Sequence, residues 1–550
     1  KSQRKVGHLT KIAENGEVTT EVITEDYKIT DKPIYDNRLF KNKSLLLIVL
    51  VAVVCGLGSC KKFLDERISK NSSLPLTTTD QLTALMENYS VFYSDENQSW
   101  MGTDDYGLNA KTYDNKRGNF TFLPNIFRAF WDVDFAPVTS SGDALWASSG
   151  GEWRDIFYAN AVLNNLEKVT GGSPEDKARL KADAHMLRCY AYWQLANTYC
   201  LPYTEANKGE MGLPTKKLTS FEEDLTRQSL EKTYNDIEAD LKEALKINKP
   251  LVSGGRPEHW RSSTAAVNGF AARYYLNRNN YTEALKYANL ALNEYNVLVD
   301  YNKPAEMYYG TPATYAVTGA PAFTLQLPYT HNNQTNLVDM IGWKEFLYFR
   351  MQNYGSWFYL PSTELLNLYD QANDRRYEFH IVENYSYYFG SNTPTNGLPS
   401  YVFFFKDKIP SGPTTAEMLL IKAECLARTG DMAGALSAVN TLRAKRIKPG
   451  ASVNLTAANP AEALTKILQE RRREMPFVQR WFDLRRFNNN ADPADDVVVT
   501  KQFYPLTFAG PDVSQPIKTY TLEKNARRYA LPLHNNELVA GRGTLLQNTY

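Results

Sequence analysis

The chain has 550 residues, 62 of them basic and 61 acidic, for a net charge of +1. At about 150 residues per domain that length allows three or four domains, and the near-neutral balance excludes a general nucleic-acid binder. Hydrophobic residues at 43% and charged residues at 22% exclude a disordered chain and leave ample material for a core.

Residues 1–40 are polar, rich in Thr, Glu and Lys, and are assigned no fold. They fit either a start just before Lys41 or an N-terminal extension. The run Leu45–Val54 is the longest apolar stretch. As a helix it rises about 15 Å, half of a bilayer, so it does not span one. With Lys41 and Lys43 before it, it reads as the apolar part of a signal peptide over 41–59. Leu57-Gly58-Ser59-Cys60 then reads as a lipobox. Cys60 would carry the lipid, begin the mature chain and anchor it to a membrane without threading it through.

Beyond the anchor the pattern is helical. Ile156, Val162, Leu163 and Leu166 make one stripe, closed by Gly171-Gly172. Ala184, Leu187, Tyr190, Ala191, Leu195 and Tyr199 make a second, stopped by Leu201-Pro202. Leu230, Tyr234, Ile237, Leu241 and Leu245 make a third. Two stretches resemble each other, Ala265–Tyr295 and Ala416–Arg446. Ala272 precedes Ala284 by twelve residues, as Ala423 precedes Ala435. Small residues at those positions let antiparallel helices approach closely, the logic of a tetratricopeptide unit. Between these helical regions, 98–150 and 300–415 are rich in Pro, Gly, Asn and aromatic residues, with short strands expected near Tyr401–Phe405. Such long loops in a compact chain are usually functional or disordered, and their aromatic content argues against disorder. Cys189, Cys200 and Cys425 lack a framework spacing. The first two lie about 16 Å apart along one helix, too far to bridge, so all three are expected as buried small hydrophobes.

The six histidines show no metal-ligand spacing, and no metal or cofactor is expected. No Gly-x-Ser-x-Gly, His-Glu-x-x-His, phosphate loop or dinucleotide fingerprint occurs. The block Glu470–Arg486 carries six arginines that could hold an anion. Glu470 and Glu474 share a helix face and can pair with them, Asp483 can pair another, and Trp481 and Phe482 suit a core. A structural role is therefore expected.

The motifs resemble those of the SusD/RagB family of outer-membrane nutrient-binding lipoproteins. Cys60–Asp65 is similar to the family's Cys-x-x-Phe-Leu-Asp start, and Tyr234–Leu241 to its Tyr-x-x-Ile-x-x-Asp-Leu signature. Pro361–Leu365 resembles its Pro-Thr-x-Glu-Leu element with one residue extra. Glu470–Glu474 leading to Arg480–Arg486 is the most specific match, and Tyr529–Leu533, Glu537 and Leu546–Tyr550 resemble the family's C-terminus. The resemblance implies a mostly α fold built on four tetratricopeptide-like hairpins, with long aromatic-rich loops on one side. Residues 60–300 and 301–550 would be the two regions of one body. It further implies a surface-exposed, lipid-anchored outer-membrane protein. This protein would bind a glycan and pass it to a SusC-like TonB-dependent transporter, without catalysis and without nucleic acid.

A sugar ring offers a C–H face to a flat aromatic and hydroxyls to polar side chains. The loop candidates for glycan contact are Trp100, Tyr106, Trp131, Tyr309, Tyr315 and Trp343, with Asp105, Asn332 and Asn333 for hydroxyls. These come from composition and placement, because no motif transfers ligand residues onto named positions. Three alternatives stay open: a peptide-binding uptake protein on the same scaffold, a glycan-cleaving enzyme, and a ligand-free helical lid. The enzyme needs only two carboxylates about 5–10 Å apart.

Overall fold

The computed structural model describes residues 2–12, 18–27, 75–114, 122–138, 151–220, 223–317, 320–327, 336–353, 359–385, 397–404 and 408–550. They divide into two units, Lys1–Pro75 and Leu76–Tyr550. In the first, β1 (Ser2–Ile12) pairs antiparallel with β2 (Val18–Tyr27), with Ile12 opposite Val18. Residues 1–40, assigned no fold from sequence, thus contain a hairpin. The signal segment 41–59 and Cys60 lie outside the described residues.

The second unit is mostly α-helical. Its main helices are α1 (Thr79–Met86), α2 (Glu152–Asn165), α3 (Pro174–Tyr199), α4 (Leu230–Ala244), α5 (Thr264–Asn277) and α6 (Tyr281–Glu294). After the loop-rich middle come α7 (Thr415–Arg428), α8 (Met432–Arg443), α9 (Pro460–Glu474) and α10 (Val478–Phe487). Their starts follow from the sequence. Ser173 accepts from the Asp176 amide at 3.1 Å while Asp176 accepts from the Ser173 amide at 2.9 Å, a reciprocal cap with Pro174 at the first helical position. Ser229, Ser263, Thr414 and Asn459 cap α4, α5, α7 and α9 by accepting from a first-turn amide, without the reciprocal bond.

Neighbouring helices pack α2 on α3, α3 on α4, α5 on α6 and α7 on α8. The alanine pattern explains the α5–α6 and α7–α8 hairpins: Ala272, Ala284, Ala288 and Ala291 are fully buried, as are Ala423 and Ala435. The breaks use residues that tolerate a left-handed backbone, Asn279 at φ 55° and Gly430 at φ 91°. The two hairpins, distant in sequence, stack directly through α6 and α7, and α7 packs on α9. The repeat therefore builds a continuous tetratricopeptide-like array.

Helix α3 is the centre of the unit, buried at every residue from Ala182 to Tyr199. Two of its buried polar residues converge on one carboxylate: Arg188 meets Asp240 at 2.8 and 2.6 Å and Asn160 at 2.7 Å, and His185 Nδ1 lies 2.9 Å from Asp240. The last carbonyls of a helix lack intrahelical partners. Here distant residues supply them. Trp481 Nε1 donates to Asn197 O at 3.0 Å, the Leu531 amide to Thr198 O at 2.8 Å, Asn548 Nδ2 to Tyr199 O at 3.0 Å, and Arg485 to Cys200 O at 2.9 Å. Cys189, Cys200 and Cys425 are buried and free.

Short strands lie among the loops: β3 (Ser94–Asp95), β4 (Ala313–Val317), β5 (Ala320–Leu325), β6 (Met351–Asn353), β7 (Lys408–Pro410), β8 (Val499–Phe503) and β9 (Lys518–Leu522). The sheets are small: β7–β6–β3, the hairpin β4–β5, and β8–β9. Near Tyr401 the strand is two residues long, Ser400–Tyr401.

The arginine-rich block holds the C-terminal half together. Glu470, wholly buried, accepts from Arg376, Arg443 and Arg473, each at 2.6 Å. Glu474 accepts from Arg376 at 2.9 Å and Arg446 at 2.8 Å. Asp483 receives Arg471 and Arg486, both at 2.9 Å, and Trp481 and Phe482 are buried. Charges paired this closely hold the elements together.

Candidate functional site

Five of the aromatic and acidic candidates face inward. Trp100 is 1% exposed, its ring covered by Tyr106 at 5.2 Å, Tyr359 at 4.7 Å and Phe477 at 5.8 Å. Tyr106 is 2% exposed. Trp131 takes a left-handed backbone at φ 53° and donates its indole N–H to Gly102 O at 3.0 Å. A Cβ at Gly102 would sit 2.6 Å from that nitrogen, so the glycine is required by the close approach. Trp343 packs edge-on against Phe403 and Phe404, at 5.3 and 5.6 Å. The cavity it lines, about 40 Å³, is on the scale of water and not of a sugar ring. Asp105 is fully buried and accepts from Arg472 Nε at 2.6 Å and the Phe477 amide at 2.8 Å. Rings and carboxylates used up in this way have no face left for a ligand, which corrects the sequence-based choice of Trp100, Tyr106, Trp131, Trp343 and Asp105. They form core. Asn332 and Asn333 lie outside the described residues.

Tyr309 is different. It is 40% exposed, and its neighbour Tyr308, missed by sequence reasoning, is 43% exposed. The Tyr309 hydroxyl donates to Glu378 O at 2.9 Å, and its ring leans on Phe379 at 5.5 Å. The ring is thus held in place with one face toward solvent. Partial burial and the nearby Glu378 carboxylate push its hydroxyl pKa up to about 12, so it remains a neutral donor. Tyr315, half-buried, sits on the β4–β5 hairpin next door. That hairpin is tied to the tyrosines: the Gly310 amide donates to Leu327 O at 2.9 Å and Gln326 to Gly310 O at 3.1 Å. Its outer face carries Thr314 and Thr324, hydroxyls 3.0 Å apart. The charges beside the patch are held in ion pairs, Glu378 meeting Arg375 at 2.9 Å and Lys448 at 3.0 Å. The signal for Tyr308 was the Tyr-Tyr-Gly sequence itself, in a proline-rich loop.

Among the described residues, no group of three or more His, Cys, Asp or Glu could hold a metal ion, and no helix is long and apolar enough to cross a membrane. What the patch offers is exposed aromatic faces, one of them held in place, beside hydroxyls.

Residues 62–276 match the family model described as starch-binding, associating with outer membrane, and residues 415–550 match the SusD family. A SusD superfamily protein from Bacteroides thetaiotaomicron superposes with a TM-score of 0.58 at 15% identity, covering 86% of this chain and 100% of its own. Surface glycan-binding protein A from Bacteroides uniformis gives 0.55 at 15% identity, covering 86% and 99%. A laminarin-binding SusD-like protein gives 0.53 at 17% identity, with the same coverage. These structures share the fold. The search of curated proteins found no match. With one family model on the N-terminal helices and the other on the arginine-rich C-terminal block, the chain belongs to the SusD/RagB family.

Proposed function

We propose that this protein is a surface lipoprotein of the outer membrane that binds a glycan and delivers it to a TonB-dependent transporter, acting by binding and not by catalysis. The observation that carries the binding role is the exposed Tyr308–Tyr309 pair, with Tyr309 pinned through its hydroxyl and backed by Phe379. A ring already ordered loses little entropy when a sugar stacks on it. Family membership supports the reading, as do related folds named for glycan and laminarin binding. The half-buried Tyr315 would supply the flank of the site. Lipidation at Cys60 would hold the protein at the membrane, and 41–59 would be removed.

The test is retention of the purified protein on a panel of neutral polysaccharides and oligopeptides, with Tyr309→Ala and Tyr308→Ala alongside. Retention by a glycan, lost or weakened about tenfold or more by Tyr309→Ala, is the expected result. Retention by peptides alone would overturn the sugar and keep the uptake role. For the anchor, Cys60→Ala should move the protein out of the membrane fraction.

A further inference from the structure

The loop after α8 forms an open cleft of about 320 Å³ with the turn around Asp370. That volume reaches the lower end of ligand pockets, about 300–1,000 Å³. We propose that this cleft is a second carbohydrate subsite, taking one neutral, hydroxyl-rich unit of a chain whose other part lies on Tyr309; it rests on the glycan-binding reading above.

The backbone of the loop is fixed by groups behind it. Asn440 on α8 bonds both the amide and the carbonyl of Leu455, at 2.7 and 3.1 Å. Arg443 donates to Val453 O at 2.7 Å and to Ser452 O at 3.2 Å. Exposure then alternates along the segment, with Ser452, Asn454 and Thr456 outward. That is the period of an extended strand. These three side chains line the cleft. Their hydroxyl and amide groups make no side-chain hydrogen bond among the described residues, because the backbone is held by Asn440, Arg443 and Lys466 instead. A rigid row of hydroxyl, amide and hydroxyl groups, beside the aliphatic Leu368 and Leu455, matches the polar edge and C–H face of a sugar.

The charge pattern selects against an anion. Arg443 and Arg473 both reach the cleft, but both are hydrogen-bonded to the buried Glu470 at 2.6 Å, and the cleft also carries the Asp370 and Asp374 carboxylates. Lys466 is paired with Glu462 at 2.6 Å. A phosphate or sulfate would need cations that are not already committed.

A bonded surface joins the cleft to the tyrosine patch. Tyr309 donates to Glu378 O, the Glu378 carboxylate meets Lys448 at 3.0 Å, the Lys448 amide donates to Asn373 O at 2.9 Å, and Asn373 Nδ2 donates to Asp370 at 2.9 Å. Asp370 lines the cleft.

The experiment measures affinity for short and long members of the laminari- and malto-oligosaccharide series. The variants are Asn454→Ala/Thr456→Ala, which removes contacts, and Thr456→Trp, which fills the cleft; both change exposed residues. Long chains should bind wild type more tightly than short ones. Each variant should lose about tenfold toward long chains, as two lost hydrogen bonds predict, and nothing toward short ones. Unchanged affinity for long chains would overturn the subsite while leaving the tyrosine site intact. Equal losses for short and long chains would also overturn it as a separate subsite. Failure of wild type to bind either series would overturn the glycan reading and the subsite with it.

Discussion

Lys501 on β8 is a cation placed where water is not. Its ammonium donates to Met101 O at 2.7 Å and faces the rings of Tyr106, Phe130 and Trp131 at 5.4, 5.9 and 5.6 Å. Burial drives its pKa down from 10.5 to about 7, with Asp104 and Asp105 opposing. Between those two values the unfolded chain holds the proton that the folded chain has released. Stability should therefore rise as pH climbs from 7 toward 10.5. Lys501→Met should flatten that rise in urea unfolding followed across this range. At Glu470, one carboxylate answers three arginines. Glu470→Ala should cost about 3–5 kcal/mol, measured by chemical denaturation, because it strands buried cations. Both sites show why residue roles were only partly legible. The Glu470–Arg473 and Asp483–Arg486 pairs were readable because acid and base lie a helical turn apart, whereas Glu474 finds Arg376 and Arg446, remote in sequence. Asp105 was not, because its partner Arg472 lies 367 residues downstream. Trp100 and Tyr309 look alike in sequence, as loop aromatics near glycine and polar residues. Only tertiary packing turns one inward and leaves the other at the surface.

At the scale of elements, apolar periodicity was enough for the central helices. The stripes through Leu187, Ile237 and Leu241 became α3 and α4, and Gly171 and Gly430 mark breaks at φ 80° and 91°. The stacking of α6 on α7 was not legible, since nothing in either hairpin names its partner across the intervening loops. The C-terminal end of α3 depends on such remote partners too. Asn548 donates to Tyr199 O at 3.0 Å and Leu531 O at 2.8 Å and accepts from Arg227 at 2.8 Å. Asn548→Ala should destabilise by about 1–3 kcal/mol, read as a lowered denaturation midpoint, because it removes the partner of the Leu531 carbonyl and an acceptor of Arg227, while Arg227 still donates to Tyr199 O at 3.0 Å. Thr549 is a fair control: its hydroxyl bonds Arg527 at an exposed site, so Thr549→Ala should change the midpoint little.

For the whole molecule, the buried ion pairs set the acid limit. Against the cost of burial, Arg486 and Arg428 hold Glu424 at about 2, below its ordinary 4.5. Such a group stabilises the fold above 4.5, and that contribution is lost as pH falls from there through about 2. Thermal unfolding should show a falling midpoint over that window, blunted in Glu424→Gln. Ligand binding should behave oppositely toward salt. A neutral glycan carries no charge for salt to screen, so its affinity for the Tyr309 patch should be nearly constant as salt is raised, whereas a steep loss would indicate an anionic ligand.

The tie between α3 and the far end of the chain also bears on how the protein is made. Trp481 follows Asn197 by 284 residues, and Asn548 follows Tyr199 by 349. A nascent chain carries the central helix long before its closing partners exist. Its aromatic flanks and open carbonyls then have only chaperones for company. Completion is thus signalled by the structure itself: a prematurely terminated product cannot finish its own centre and stays open to proteases, while the full chain closes over it.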